Sequence, residues 1–293
     1  MSHHLDSAAV LVERAGYPEM LEVFGWLDRD PVVNAYLVAL VLRDGLAAPR
    51  DEYWVARRGG ALAGLVCLGG SSGAVLPAGD DPATLAALAR CVAERLSIVP
   101  RQFQVVGERA AVTTVVARLR EAGLAPRLEL PQTYMKVERG GLPPFDRLAE
   151  LRPARPEDYD LVHRTGAELR AEEIDEDPRR ADPGTYARRV EEECRQGYTH
   201  LWLADGALRF RASLSALTAD AAQISGVFVP PEHRNRGLAR RGLAELCTRL
   251  FERTRAACLF VNESNAPAIA VYQHLGFHPC ARWASAFFAA AHE

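Results

Sequence analysis

From residue 237 onward, apolar side chains fall at Leu238, Ala239, Leu243, Leu246, Leu250 and Phe251. That three-and-four spacing predicts a helix with one buried face. The apolar run just before it, residues 222–229, predicts a strand. Applied along the second half, the same reading gives a short strand at 149–154 and helices at 157–173 and 183–195. Strands follow at 199–204, 208–217 and 258–261, then a helix at 266–274 and a closing pair of strands within 277–289. The first half predicts a helix at 32–42, then a hairpin of 53–56 and 61–68 joined through Gly59-Gly60. A strand at 74–76, a helix at 82–96, a strand at 102–106, a helix at 110–122 and a strand at 133–137 complete it.

The two lists run in the same order. Sliding one half over the other by 153 residues lays Gly123 on Gly276 and the helix at 82 on the helix at 237. A duplicated α/β unit follows. Gly140-Gly141 and Pro143-Pro144 punctuate the stretch between the halves, so 139–147 reads as a linker between a domain at 1–138 and a domain at 148–293. A length of 293 residues agrees with two domains.

Composition narrows the function classes. The chain is 48% hydrophobic and 25% charged, with a net charge of −3, so it has no basic field for general nucleic-acid binding. Six dispersed cysteines without a C-x-x-C pair read as buried free thiols in a reducing cytoplasm. The N-terminus lacks a basic segment ahead of its short apolar run, so no signal peptide is expected. The longest apolar run, 35–42, is too short to span a membrane. His3 and His4 read as an ordinary terminus, and no metal site is expected.

Four arginines, Arg234, Arg236, Arg240 and Arg241, crowd the turn between the strand ending at Val229 and the helix starting near Gly237. The first backbone N–H groups of a helix lack internal partners, and the helix dipole favours an anion there. Glycine lets the backbone approach a phosphate closely, and arginine adds charge-assisted hydrogen bonds. Such a turn suits a pyrophosphate. The alternative is a solvated, arginine-rich helix end, but cations there oppose the dipole by ~0.3–1 kcal/mol each.

Arg234-Asn235-Arg236-Gly237-Leu238-Ala239 resembles the R-x-x-G-x-G/A acyl-CoA loop of the GNAT N-acetyltransferase superfamily, placed directly after a V-x-V strand end. Asn265-x-x-Ala268-x-x-x-Tyr272-x-x-x-Gly276-Phe277 resembles that family's next signature helix. Two motifs in order, with the right strands between them, are far more specific than either alone. The resemblance covers 148 to the end. The whole chain is similar to members with a second, divergent GNAT-like domain ahead of the active one. It implies an α/β (α+β) fold of tandem GNAT-like domains, each a mixed, mostly antiparallel sheet flanked by helices.

The resemblance also implies roles. The backbone of Val227, Phe228 and Val229 would pair with the pantetheine arm and polarise the thioester carbonyl. Residues Arg234 to Arg240 would hold the pyrophosphate, and Asn265 would contact the cofactor arm. Tyr272 would protonate the departing thiolate as general acid. Asn265 is equally a helix cap, and Tyr272 an ordinary core-edge tyrosine. Some members place a glutamate on the strand before the asparagine motif, where this chain has Phe260. The nearest substitute is the acidic run 172–177, in which Glu172 and Glu173 would attract the amine or take its proton; a solvated acidic loop is the other reading. In the first half, Asp80 and Asp81 stand where the arginines stand in the second, so no cofactor is expected there.

The function expected is acyl transfer to an amine by direct attack, with acetyl-CoA or another acyl-CoA as co-substrate and a small-molecule, peptide or protein amine as acceptor. The alternatives are a non-catalytic acyl-CoA sensor or assembly module, and nucleic-acid binding through the four arginines.

Overall fold

The computed structural model describes residues 9–289. In chain order its elements are β1 (Val10–Ala15), α1 (Met20–Leu27), α2 (Ala35–Asp44), β2 (Asp51–Arg58), β3 (Ala61–Gly69), β4 (Ala74–Gly79), α3 (Pro82–Glu94), β5 (Phe103–Glu108), α4 (Arg109–Glu121) and β6 (Leu128–Glu138). These are followed by β7 (Arg152–Pro153), α5 (Tyr159–Ile174), α6 (Pro178–Ala181), α7 (Pro183–Gln196), β8 (Thr199–Ala204), β9 (Ala207–Leu217) and β10 (Ala221–Phe228). The last four are α8 (Leu238–Leu250), β11 (Ala256–Asn262), α9 (Ala266–His274) and β12 (His278–Phe288). Packing divides the chain into two compact units. Unit 1 runs to Tyr134 and resumes at Ala281; unit 2 is Met135–Cys280.

In unit 1 the strand order is β1-β2-β3-β4-β5 and then β12. Neighbours are antiparallel except β4 and β5, which run parallel. Strand alternation sends Leu65 and Cys67 into the core under α1 and α2, and Val66 and Leu68 into the core under α3 and α4. β12 closes the sheet by pairing Trp283 with Glu108 through Phe288 with Phe103, and the Phe103 and Phe288 rings stack at 4.6 Å.

Unit 2 repeats this plan. Its order is β7-β8-β9-β10-β11, again antiparallel except for the parallel pair β10 and β11, and the end of β6 lies beyond β11. Met135 and Val137 of β6 join a core of Phe210, Leu243, Leu246, Leu259 and Phe277. Gly242 lets α8 sit directly on β9: a Cβ there would lie 2.5 Å from the Phe210 ring. Each half therefore forms a mixed, mostly antiparallel sheet flanked by helices.

Several expectations shift. β1, α1 and α6 were not foreseen, because Val10–Ala15 is short and its side chains only half-buried, and Met20–Leu27 carries no capping signal beyond Pro18. The strand pair expected within 277–289 is the single strand β12. The domain boundary at 148 also differs, because 135–147 packs in unit 2 and 281–289 packs in unit 1. The expected linker is held along its length. Arg139 N donates to the Arg255 carbonyl, Leu142 and Phe145 pack on the core, and Arg147 reaches the buried carboxylate of Glu245. Gly276, at φ +86°, packs closely on this segment: a Cβ there would lie 2.3 Å from the Gly141 carbonyl oxygen. His3 and His4 lie outside the described residues.

Among the six cysteines, five are buried and Cys280 is exposed, and all are free thiols. No described helix is long and apolar enough to cross a membrane, and the described residues contain no cluster of three or more potential metal ligands.

Candidate active site

The candidate site residues all fall in unit 2, at the end of α5, the end of β10, the turn into α8, and α9. The parallel ladder to β11 runs only from Ala221↔Ala256 to Gln223↔Cys258, and no ladder pair joins the two strands beyond it among the described residues. On its other side β10 shifts register against β9 twice, between Gln223 and Ile224 and between Ser225 and Phe228. Gly226 sits at the second shift with φ +60°, a conformation that glycine tolerates best. The bulge re-registers β10 on β9, with Phe228 still opposite Arg211, while the edge toward β11 has no ladder pair past Gln223 among the described residues. Val227 and Val229 pack toward the α8 core, while Phe228 is buried in the opposite cluster with Val162 and Tyr186.

Pro230 and a single 3-10 turn, Pro231–His233, then stop the strand. The chain crosses to α8 through two residues with positive φ, Asn235 at +61° and Gly237 at +74°. Gly237 is the N-cap of α8 and has no side chain to accept from the first-turn amides. The N-termini of α3, α7 and α9 differ, since Asp81, Asp182 and Asn265 fill those roles. The start of α8 is therefore left without a side-chain cap, its first amides free of side-chain acceptors, with half-buried Leu238 and Ala239 leading in.

The four arginines do not act alike. Arg234 donates through Nη2 to both carboxylate oxygens of Glu172, at 2.7 and 3.0 Å, and through Nε to the Val229 carbonyl at 3.1 Å. Arg236 is exposed and makes no ion pair among the described residues. Arg240 Nη1 lies 3.3 Å from His274 Nε2. Arg241 faces away, donating to the Arg147 carbonyl at 3.2 Å and lying over the Trp202 ring.

Asn265 caps α9, its Oδ1 accepting from Ala268 N at 3.2 Å. Tyr272 is 7% exposed and its ring packs 6.0 Å from that of Phe277. Its hydroxyl makes no hydrogen bond among the described residues. Burial raises its pKa, and the nearby negative charge of Glu173 adds to the shift. Glu173 keeps exposed surface but stands in crowded, poorly solvated surroundings. These push its carboxyl up to about 7; Arg170 opposes the shift and Glu172 adds to it. The candidate acid thus feels the charge of the candidate base.

One residue carried no sequence signal beyond a charge inside an apolar strand. Arg211 of β9 is 3% exposed and lies across from Phe228. Its Nη1 donates to the Val162 carbonyl at 2.9 Å and Thr165 Oγ1 at 3.0 Å, and its Nη2 to Ser213 Oγ at 3.2 Å. It ties α5, the helix that carries Glu172 and Glu173, to the bulged part of the sheet. Phe260, where a glutamate was sought, is half-buried on β11.

In the first half, Asp81 takes the amides of Ala83 and Thr84 into its own carboxylate, at 2.9 and 3.0 Å, and pairs with Arg58. Asp80 is held by Arg29. Element for element, Asp81 corresponds to Gly237, since both are N-caps; the fixed 153-residue shift had set it against Arg234. The place left open in unit 2 is filled here by the chain itself.

Comparison with known proteins bears on the fold. Residues 149–277 match the model of the Acetyltransferase (GNAT) family. No curated protein matches the sequence. Among solved structures, a Drosophila protein is similar over 96% of this chain and 99% of its own at a TM-score of 0.66 and 13% identity. A GCN5-related N-acetyltransferase from Sphaerobacter thermophilus is similar over 95% of both chains, at 0.59 and 17%. A tandem GNAT protein from the clavulanic acid biosynthesis pathway is similar over 97% of this chain and 99% of its own, at 0.53 and 20%. At these identities the likeness concerns the fold. Residues 149–277 therefore match the Acetyltransferase (GNAT) family, within a fold similar to that of a tandem GNAT protein.

Proposed function

We propose that unit 2 is an acetyl-CoA-dependent N-acetyltransferase acting on an amine by direct attack. The observation that carries this reading is the sequence of backbone events at one place: β10 leaves β11 after Gln223, bulges at Gly226, and leads through two positive-φ residues into a helix start with no side-chain cap. The parted edge at Val227, Phe228 and Val229 suits an extended amide chain. The open start of α8, with Arg234, Asn235, Arg236, Gly237, Leu238, Ala239 and Arg240, suits a pyrophosphate. Acetyl-CoA supplies the acetyl group as a thioester.

The chain's own groups then handle two protons. An alkyl ammonium has a pKa of ~10 and must lose a proton before it attacks. A carboxyl held near 7, as that of Glu173 is, can take that proton at neutral pH. As the new C–N bond forms and the C–S bond breaks, the sulfur needs a proton. Tyr272, whose hydroxyl is free of other bonds, donates it. Asn265, already capping α9, holds the start of the helix that presents Tyr272. Unit 1, its corresponding helix start filled by Asp81, binds no cofactor and shapes or supports the active half.

Phe260 in place of an acidic residue favours one second reading, a non-catalytic acyl-CoA sensor. A CoA-release assay with acetyl-CoA across a panel of amines and peptides separates the two. For the enzyme, Tyr272→Phe lowers turnover by roughly 10²-fold with CoA affinity unchanged. CoA binding without turnover on any amine would identify the sensor. Arg234→Glu should weaken CoA binding strongly under either reading, and unchanged affinity would remove the pyrophosphate site.

A further inference from the structure

We propose that Arg234 and Glu172 form a latch that closes the cofactor cleft of unit 2 and has to open before acyl-CoA can enter. The inference rests on the acyl-CoA reading above and adds a regulatory step to it. Both partners that Arg234 holds are groups the cofactor is expected to engage or replace. Its Nε donates to the carbonyl of Val229, at the end of the parted strand that suits the pantetheine arm. Its Nη2 donates to both oxygens of Glu172, an anion standing in for a phosphate. The guanidinium also lies 5.8 Å over the Phe228 ring, so its plane is fixed between the end of β10 and the last turn of α5. One side chain thus spans the opening between the two elements that would flank the thioester.

Entry of acyl-CoA exchanges these contacts. A phosphate takes the guanidinium from Glu172, and the pantetheine amide takes the Val229 carbonyl from Nε. Glu172 is set free at the end of α5, one residue from Glu173, where a cationic amine is expected. The latch therefore weakens cofactor binding in the empty protein and withholds one acceptor-side charge until the cofactor is seated. Arg234 and Glu172 are 43% and 45% exposed, so the pair is weak enough to open readily.

Isothermal titration of CoA into the full-length chain tests this without any acceptor present. Glu172→Gln is expected to tighten CoA binding about two- to five-fold, the range of an exposed ion pair. The same substitution made together with Arg234→Gln should give no such gain, because no latch remains to break. Equal tightening in both backgrounds would mean a general charge effect and overturns the latch, as does no tightening with Arg234 intact. Wild-type binding with no gain from Glu172→Gln removes the latch alone. Absence of CoA binding in every variant removes the acyl-CoA reading as well. A thermal melt of each variant confirms that it is folded.

Discussion

Glu172 and Glu173 are exposed neighbours on α5, and their different partners set what each can do. Glu172 is exposed and spends its charge on Arg234. Glu173 has no ion pair among the described residues, and its poorly solvated surroundings raise its carboxyl to about 7. A general base works only when deprotonated, so kcat/KM should climb with pH through about 7 and level off above it. Glu173→Gln should remove that limb and lower the plateau by roughly 10²- to 10⁴-fold. A profile that keeps its limb near 7 in the variant would assign the proton to another group. The acidic run was legible as a candidate because carboxylates suit a cationic amine. The pairing of Glu172 was not legible, because the Arg234–Glu172 bond joins residues 62 apart in sequence. Tyr272 was legible through the spacing of its helix motif, but the unbonded state of its hydroxyl depends on tertiary packing.

At the scale of elements, the strongest anchoring lies behind the site rather than in it. The Glu245 carboxylate of α8, 1% exposed, accepts from Arg147 Nε at 2.7 Å, Leu148 N at 3.0 Å and Arg249 Nε at 2.8 Å. The Arg147 hydrogen bond is the main cause that holds its carboxyl down to about 2. A carboxyl whose folded pKa lies below its unfolded value of ~4.3 stabilises the fold above that value. The contribution is lost as pH falls through about 2. Glu245→Gln should cost about 2–3 kcal/mol at pH 7, a charged buried acceptor lost to several donors. In denaturant titrations the gap to wild type should shrink between pH 4.5 and 2; a gap independent of pH would rule the charge out. Sequence periodicity found α8, β8 and α9 with bounds within a residue or so, because each has one buried face or a clear cap. It could not find this anchor, since Gly-Gly and Pro-Pro look alike whether a segment swings free or lies packed. β1 and α1 escaped for the complementary reason, their pattern being short and weakly contrasted.

For the whole molecule, the order of elements was readable as a duplication, and both sheets bear it out strand for strand. The boundaries were not readable, because a linear division assumes that each half keeps its own last strand. Unit 2 takes Met135 and Val137 of β6 into its core, while β12 from Ala281 onward completes unit 1 against β5. A fragment of residues 148–293 should therefore be unstable. It lacks two buried side chains worth about 2–5 kcal/mol each to the core, and it carries a strand whose partner is missing. A fragment of 135–280 should melt at the higher temperature of the two, and the reverse order would restore the simple boundary at 148. The placement of β12 also has a consequence for synthesis. A chain emerging from the ribosome can form unit 2 from contiguous residues soon after Cys280 is made. Unit 1, although translated first, waits with the edge of β5 bare until the final strand has been released. Damage to the codons for residues 281–288 would thus fall on unit 1, the half of these two that is translated earlier.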